Sequence, residues 1–192
     1  MTEVKVLIEG YAKSTGGVEF ASPTTVLIKD SGKLILVDPG ANKKKLLDAL
    51  KKEGLRPGDI DLIFLTHYHP DHVLNIRLFP DKDILDGGTI YRDDKEIEFS
   101  ERIPGTKVKM IPTPGHAFEH VSLLVETDKG KVCIAGDLWW WEDGKQKNDT
   151  NLLKTKDPYV KDAKALLKSR KTILKMADWI IPGHGKMFKV KR

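Results

Sequence analysis

Three histidines and an aspartate stand within six positions in THYHPDH, residues 66–72, directly after the apolar run DLIFL. The chain has six histidines, so half of them sit in this one place. Crowding imidazoles and a carboxylate at a strand end strips them of water and sets like groups against each other, unless a cation binds there. Imidazole and carboxylate are also the ligands that borderline divalent metals accept. Three more clusters share the setting: TPGH (113–116), AGD (135–137) and PGHG (182–185) each follow an apolar run and contain glycine or proline. Asp38, in VDPG, ends another such run. Glycine and proline permit the tight turns that aim side chains from strand ends into a common cleft. His67, His69, Asp71, His72, His116, Asp137 and His184 are therefore candidate metal ligands. Three histidines suit one catalytic site with an open position for water. Two more histidines, with Asp71 and Asp137, suit a second.

The elements that must position them can be read coarsely. VKVLIEG, TTVLIKD and GKLILVDPG are short, Val- and Ile-rich strands. Leu46, Leu47 and Leu50 share one face of a helix expected over 43–53, stopped by Gly54. DIDLIFLTH is a continuous apolar strand of the fully buried kind. A short helix is expected over 71–78 after Pro70, and small strands with a Gly-Gly turn over 82–99. VSLLVETDKGKVCIAGD reads as a hairpin, 157–177 as a helix, and ADWIIPGHG as a last strand and loop. The segment 142–157 is polar and reads as weakly structured. The pattern is that of layered sheets covered by helices, in the α/β class.

With 192 residues the chain is expected to form one domain, 1–192, and to bury a core without disulfide help. Its hydrophobic content of 40% and charged content of 32% fit a folded globular chain and exclude a disordered one. No apolar run reaches membrane-spanning length, and the start MTEVKVLIEG lacks the pattern of a secretory signal. The lone cysteine, Cys133, cannot form an intramolecular disulfide and reads as a small buried hydrophobe, so a cytoplasmic location is expected. The net charge of +5 admits an acidic partner such as RNA, although the lysines interleave with Glu and Asp as on an ordinary solvated surface.

DLWWWEDG carries three consecutive tryptophans, 139–141, directly after Asp137. Neighbours in an extended strand alternate in direction, so the three cannot all point inward. Trp139 and Trp140 are candidates for an apolar wall of a substrate cleft. The competing readings are packing against 142–157 and a homodimer contact. Tyr68, between two candidate ligands, is a candidate to face the cleft and donate its hydroxyl to substrate.

The chain resembles the metallo-β-lactamase-fold hydrolases, a superfamily marked by T-H-x-H-x-D-H, which THYHPDH matches at every defined position. VDPG, TPGH, AGD and PGHG look like the first, third, fourth and fifth motifs of that family. They occur in the right order over roughly the whole chain. Within the family, HPDHVLNIRLFP and ADWIIPGHGKMF are similar to small single-domain members. The resemblance implies a four-layer αββα sandwich with a metal site at one edge of the two sheets. It implies a first metal on His67, His69 and His116, a second on Asp71, His72 and His184, and Asp137 bridging them. Asp38 would accept a hydrogen bond from a ligand imidazole and fix its orientation. His120 would support the site without being a ligand, although Glu119 stands where many relatives have glycine.

The implied cofactors are two zinc ions, with manganese or a single iron as alternatives. Two metals would bring the pKa of water near neutrality for attack on an acyl carbon or a phosphorus, with Asp71 orienting the nucleophile. The favoured reading is a hydrolase of a small ester, thioester or lactone. One alternative is an iron oxidoreductase like the persulfide dioxygenases, using His67, His116 and Asp137. The other is a phosphodiesterase or ribonuclease acting on RNA, motivated by the basic charge and the tryptophans. A chain of this length is expected to lack the extra domain of RNA-processing relatives and the C-terminal helical region of glyoxalase II. The expected partner is a small-molecule substrate, with nucleic acid and a homodimer left open and no membrane.

Overall fold

The computed structural model describes residues 2–148 and 152–191. In chain order the strands and helices begin with β1 (Glu3–Ile8), β2 (Tyr11–Thr15), β3 (Val18–Ser22), β4 (Thr25–Asp30), β5 (Lys33–Val37) and α1 (Lys43–Lys52). Next come β6 (Leu62–Phe64), α2 (Pro70–Val73), β7 (Asp83–Leu85), β8 (Thr89–Arg92) and β9 (Lys95–Glu98). The second half holds β10 (Lys109–Pro112), β11 (Val121–Thr127), β12 (Gly130–Trp140), α3 (Ala163–Met176), β13 (Trp179–His184) and β14 (Phe188–Lys189). One sheet runs β1-β4-β5-β6-β7-β8-β9, a second runs β10-β11-β12-β13-β14, and β2-β3 form a separate hairpin.

Alternation along the strands stacks these parts into four layers. In β4, Val26 and Ile28 turn one way and Leu27 the other. Val26 and Ile28 join Ile35, Val37, Phe64 and Leu85 against Leu123, Val125, Val132, Ile134 and Ile181 of the second sheet. Leu27, Leu36 and Ile63 face outward and are covered by Leu46 and Leu50 of α1. Leu124, Cys133, Ala135 and Ile180 leave the far face of the second sheet, under Leu166 and Ile173 of α3. The order is helix, sheet, sheet, helix. Each fully buried Leu, Ile or Phe contributes about 1.5–3 kcal/mol through removal from water, and period-two alternation is what lets both faces of each sheet do so.

The helices start where side chains cap them. Asn42 Oδ1 accepts from Lys45 N at 3.0 Å to open α1, and Asp162 Oδ1 accepts from Lys164 N and Ala165 N to open α3. The expected helix over 157–177 therefore begins six residues late. Residue 157 precedes Pro158, which disfavours helical backbone there, and Asp162 sets the start. The expected helix over 71–78 is a single α-turn, α2, followed by a 3₁₀ stretch, Leu74–Leu78.

The β2–β3 hairpin did not emerge from the apolar pattern. Most of its residues are exposed, and only the Gly16-Gly17 turn, with φ of +59° and +76°, marks it. Of the segment expected to be weakly structured, 149–151 lie outside the described residues, and Leu152–Lys154 form a 3₁₀ turn. Among the described residues no helix is long and apolar enough to cross a membrane.

Candidate metal centre

The functional side chains come from the carboxyl ends of two parallel strand pairs, β5 with β6 and β12 with β13. Asp38 follows β5, His67 follows β6, Asp137 lies late in β12, and His184 ends β13. His116 and His120 come from the loop between β10 and β11. That loop is tied to the end of β6 by the bond from Val121 N to Thr66 O at 2.9 Å. Pro70 opens α2, whose single turn presents Asp71 and His72. At Gly136 the ladder slips and φ is +51°, a conformation that turns Asp137 toward the centre. A Cβ there would come within 2.6 Å of His120 Nε2.

Two groups of ligand atoms result. His67, His69, His116 and Asp137 form one, and Asp71, His72 and His184 the other, with all ligand atoms of a group within 4.8 Å of each other. Asp137 faces both. Its carboxylate oxygens lie 3.3 Å from His116 Nε2, 3.4 Å from His72 Nε2, 3.5 Å from His184 Nε2 and 3.8 Å from His67 Nε2. Asp71 Oδ2 lies 3.4 Å from His184 Nε2 and 3.7 Å from His72 Nε2.

Four of these imidazoles are held by Nδ1. His72 Nδ1–H donates to Asp38 Oδ2 at 2.9 Å. Thr66 Oγ1 donates to the same oxygen, at 2.8 Å, and receives His67 Nδ1–H at 3.0 Å. His184 Nδ1–H donates to the Tyr11 carbonyl at 3.0 Å, and His116 Nδ1–H to Asp157 Oδ2 at 2.8 Å. With Nδ1 engaged, each ring turns Nε2 inward, the tautomer and orientation that metal-ligating histidines need. His67 Nε2, His72 Nε2, Asp71 Oδ2 and Asp137 Oδ1 are buried without a hydrogen-bond partner among the described residues. Orphaned buried polar atoms are costly, and divalent cations held by the two groups would satisfy all four. The residues present therefore fit a metal.

The electrostatics of the chain without metal point the same way. Burial pushes Asp137 up, but the His184 and His72 imidazoles outweigh it and hold the carboxyl well below the usual range. Burial opposes charge on His72, but Asp137 and Asp38 raise it well above an ordinary histidine. His184, against the same burial, is pushed up to about 9 by Asp137 and Asp71. Burial and the neighbouring His72 keep His67 well below the ordinary value. Protons on His72 and His184 thus balance the carboxylates.

His120 lies outside both groups. Its Nε2 accepts from Asp137 N at 3.1 Å and its Nδ1–H donates to Thr113 Oγ1 at 2.9 Å, so it anchors the backbone that carries Asp137. Burial and His116 lower it to about 3, leaving a neutral acceptor.

Two sequence readings require correction. Trp139 does not line the cleft. It is fully buried, its Nε1 donates to Leu152 O at 2.8 Å, and its ring meets Phe188 on the α3 side. Strand alternation sends Trp139 and Trp141 to that face and Trp140 to the other. Tyr68 does not turn its hydroxyl into the cleft. It donates to Asp86, which also accepts from Tyr91 Oη, Gly88 N and Thr89 N. That carboxylate, at the end of β7, outcompetes a position over the metal ligands.

A cavity of about 390 Å³ opens over the centre. Its floor includes His69, Asp71, Asp137 and His184, its wall Trp140 and Tyr159, and its roof Ala12, Lys13 and Phe20 of the hairpin. Trp140 and Tyr159 face each other with ring centroids 5.8 Å apart. Asp157, Tyr159 and the hairpin went unrecognised in the sequence. Proximity to Pro158 is the only local signal at Asp157, and nothing local assigns it a partner 41 residues away.

A family model described as the metallo-β-lactamase superfamily matches residues 19–86. Metallo-β-lactamase domain-containing protein 1 of Xenopus laevis is 35% identical, over 97% of this chain and 81% of its own length. The human protein of that name is also 35% identical, but the chain spans only 60% of its length. Among solved structures, a metallo-β-lactamase-like protein from Thermotoga maritima superposes with a TM-score of 0.72 at 21% identity, covering 98% of this chain and 99% of that one. A dizinc quorum-quenching lactonase matches with a TM-score of 0.57 at 19% identity, over 87% of this chain and 73% of that one. The four-layer fold and the His/Asp cluster at its strand ends define a metal-dependent hydrolase. The chain belongs to the metallo-β-lactamase superfamily. Within it, the chain is similar to metallo-β-lactamase domain-containing protein 1.

Proposed function

We propose that the chain is a dinuclear, zinc-dependent hydrolase of a small ester, thioester or lactone. The observation that carries this reading is the pairing of two ligand groups around Asp137, with His67, His72, His116 and His184 each held at Nδ1 and turned inward at Nε2. His67, His69 and His116 would hold one metal and Asp71, His72 and His184 the other, with Asp137 shared. When bound, the two ions supply a nucleophile at neutral pH and stabilise the oxyanion of the transition state. Asp71 is the catalytic carboxylate that orients the nucleophile or accepts its proton while remaining a ligand. Trp140 and Tyr159 receive the apolar part of the substrate, and Phe20 closes over it and limits access of bulk water. The structural likeness to a dizinc lactonase supports an acyl substrate.

Elemental mass spectrometry on protein purified without chelator or added metal tests the metal. Two zinc ions per chain are expected. About one iron with little zinc would overturn the reading in favour of an oxidoreductase. Panels of thioesters, lactones and phosphodiesters then test the bond cleaved.

Metal binding is also expected to release protons. Coordination requires neutral imidazole, whereas the neighbouring carboxylates favour a proton on His72 and push His184 up to about 9 in the chain without metal. Both are raised above 6.5, so their protons are present at neutral pH and lost as pH rises through the folded values. Zinc uptake at pH 7 should release protons, and apparent affinity should climb from neutrality toward pH 9. Calorimetric titration in buffers of different ionisation enthalpy reads this directly; identical heats across buffers would contradict it.

A further inference from the structure

We propose that Asp157 is a positioning residue for the first metal site, fixing the His116 imidazole and tying that ligand to the aromatic wall of the cavity. The inference rests on the reading of the cluster as a two-metal centre.

Asp157 is 41 residues from His116 and belongs to none of the motifs. Its side chain is 1% exposed, which is rare for a carboxylate without a task. Oδ2 receives His116 Nδ1–H at 2.8 Å. Oδ1 receives Tyr159 N at 2.9 Å and Trp140 Nε1 at 3.4 Å. One oxygen thus holds a metal ligand, and the other holds the two residues whose rings form the cavity wall.

The carboxylate is itself braced. Arg170 of α3, 3% exposed, donates from Nε to Leu138 O at 2.7 Å and from Nη1 to Thr155 O at 2.6 Å. It clamps the strand leading to Trp140 and the segment leading to Asp157 onto one guanidinium. This buried fork suits two carbonyls better than a flexible ammonium would.

Division of labour distinguishes Asp157 from Asp38. Asp38 holds His72 directly and His67 through Thr66, so it serves both ligand groups. Asp157 holds His116 alone. Without it, the His116 ring loses its only described partner at Nδ1 and populates both tautomers. Loss of such a partner typically costs ten- to a hundredfold in metal affinity. That loss should fall on the first site and spare the second.

Cobalt(II) provides a readout other than turnover. Wild type, Asp157→Ala and Asp157→Asn are loaded with cobalt, followed by visible d–d absorption and by competition with a chromophoric chelator. Asp71→Ala, which lacks a ligand of the second site, supplies the reference spectrum of the first. Far-UV circular dichroism establishes that each variant is folded. The expected result is two cobalt ions in wild type. In Asp157→Ala the first-site affinity should fall by about ten- to a hundredfold and its band should change. The second site should stay within about twofold. Asn keeps an acceptor oxygen for His116 Nδ1–H, so Asp157→Asn should recover part of the loss.

Wild-type affinity and spectrum in Asp157→Ala would overturn the inference while leaving the metal centre standing. Equal weakening of both sites, with Asn no better than Ala, would overturn it too, because that is general loosening. A wild-type chain that binds no cobalt would bring down the reading of the cluster, and the inference with it.

Discussion

Asp137→Asn should lower hydrolysis by about three powers of ten or more, and metal content should fall below two ions per chain. Among the described residues Asp137 is the one carboxylate that faces both ligand groups, within 3.8 Å of four imidazole Nε2 atoms. Asparagine keeps the shape but loses the charge and one acceptor oxygen. Its amide N–H groups would face nitrogens that must stay free for metal. Metal ions supply several kcal/mol of transition-state stabilisation, and each 1.36 kcal/mol is about tenfold in rate. Losing one ion, or the spacing between two, therefore removes orders of magnitude. Elemental analysis and turnover of a thioester or lactone, on the same preparation, check both halves. Two metals and wild-type turnover in the variant would sink the bridging role.

Gly183→Ala is expected to damage the centre without touching a ligand. A Cβ at 183 would lie 1.8 Å from Asp137 Oδ1 and 3.0 Å from Gly136 C. Neither can yield cheaply. Asp137 is anchored through its N–H to His120. Gly183 is itself pinned, since its carbonyl accepts from Thr24 N at 2.6 Å and Thr24 Oγ1 at 3.0 Å. Alanine must therefore displace the carboxylate or spread β13 from β12. Overpacking of this kind costs about 1–3 kcal/mol or more. At about 2–4 °C per kcal/mol for a chain of this size, the melting temperature should fall by roughly 2–12 °C, together with a loss of metal. Gly58→Ala is the control, because its Cβ would meet nothing within 4 Å and its φ is ordinary. A Gly183→Ala protein that melts with wild type and binds two metals would refute the argument.

The two variants illustrate what is legible in one dimension. Asp137 can be picked out from the sequence because AGD follows an apolar run and its chemistry is restricted to metals or hydrogen bonds. Gly183 can be picked out only as a turn residue. That its missing Cβ makes room for Asp137, 46 positions earlier, is a fact of strand pairing.

The same contrast holds across the centre. Each of His67, His69, Asp71, His72, His116, Asp137 and His184 sits in a short motif at a strand end, and the chain gathers all seven into two groups. Ligand chemistry admits few residue types, and buried strands announce themselves by continuous Val, Ile and Leu. Motif and mount are therefore both local signals. The four layers follow from the same alternation, since Val26, Ile28 and Leu27 can only be buried if both faces of the sheet are covered.

Other features had no local signal. Trp139 and Trp140 are identical in composition and adjacent, yet a slip in the β12 ladder and the alternation after it send one into the core and the other into the cavity. Tyr68 stands between two ligands but finds Asp86 on a neighbouring strand end. The hairpin over the cavity is mostly exposed and so carries no core pattern. Asp157 reads as one more charge in a polar stretch until Arg170 brings its segment against His116. The layers, the class of chemistry and the seven ligand candidates are legible in the residues alone, because burial and metal ligation restrict residue types strongly at short range. How those ligands are oriented and what covers them emerges only when the chain is folded, because hydrogen-bond partners and cavity walls are contributed by segments that no sequence spacing relates.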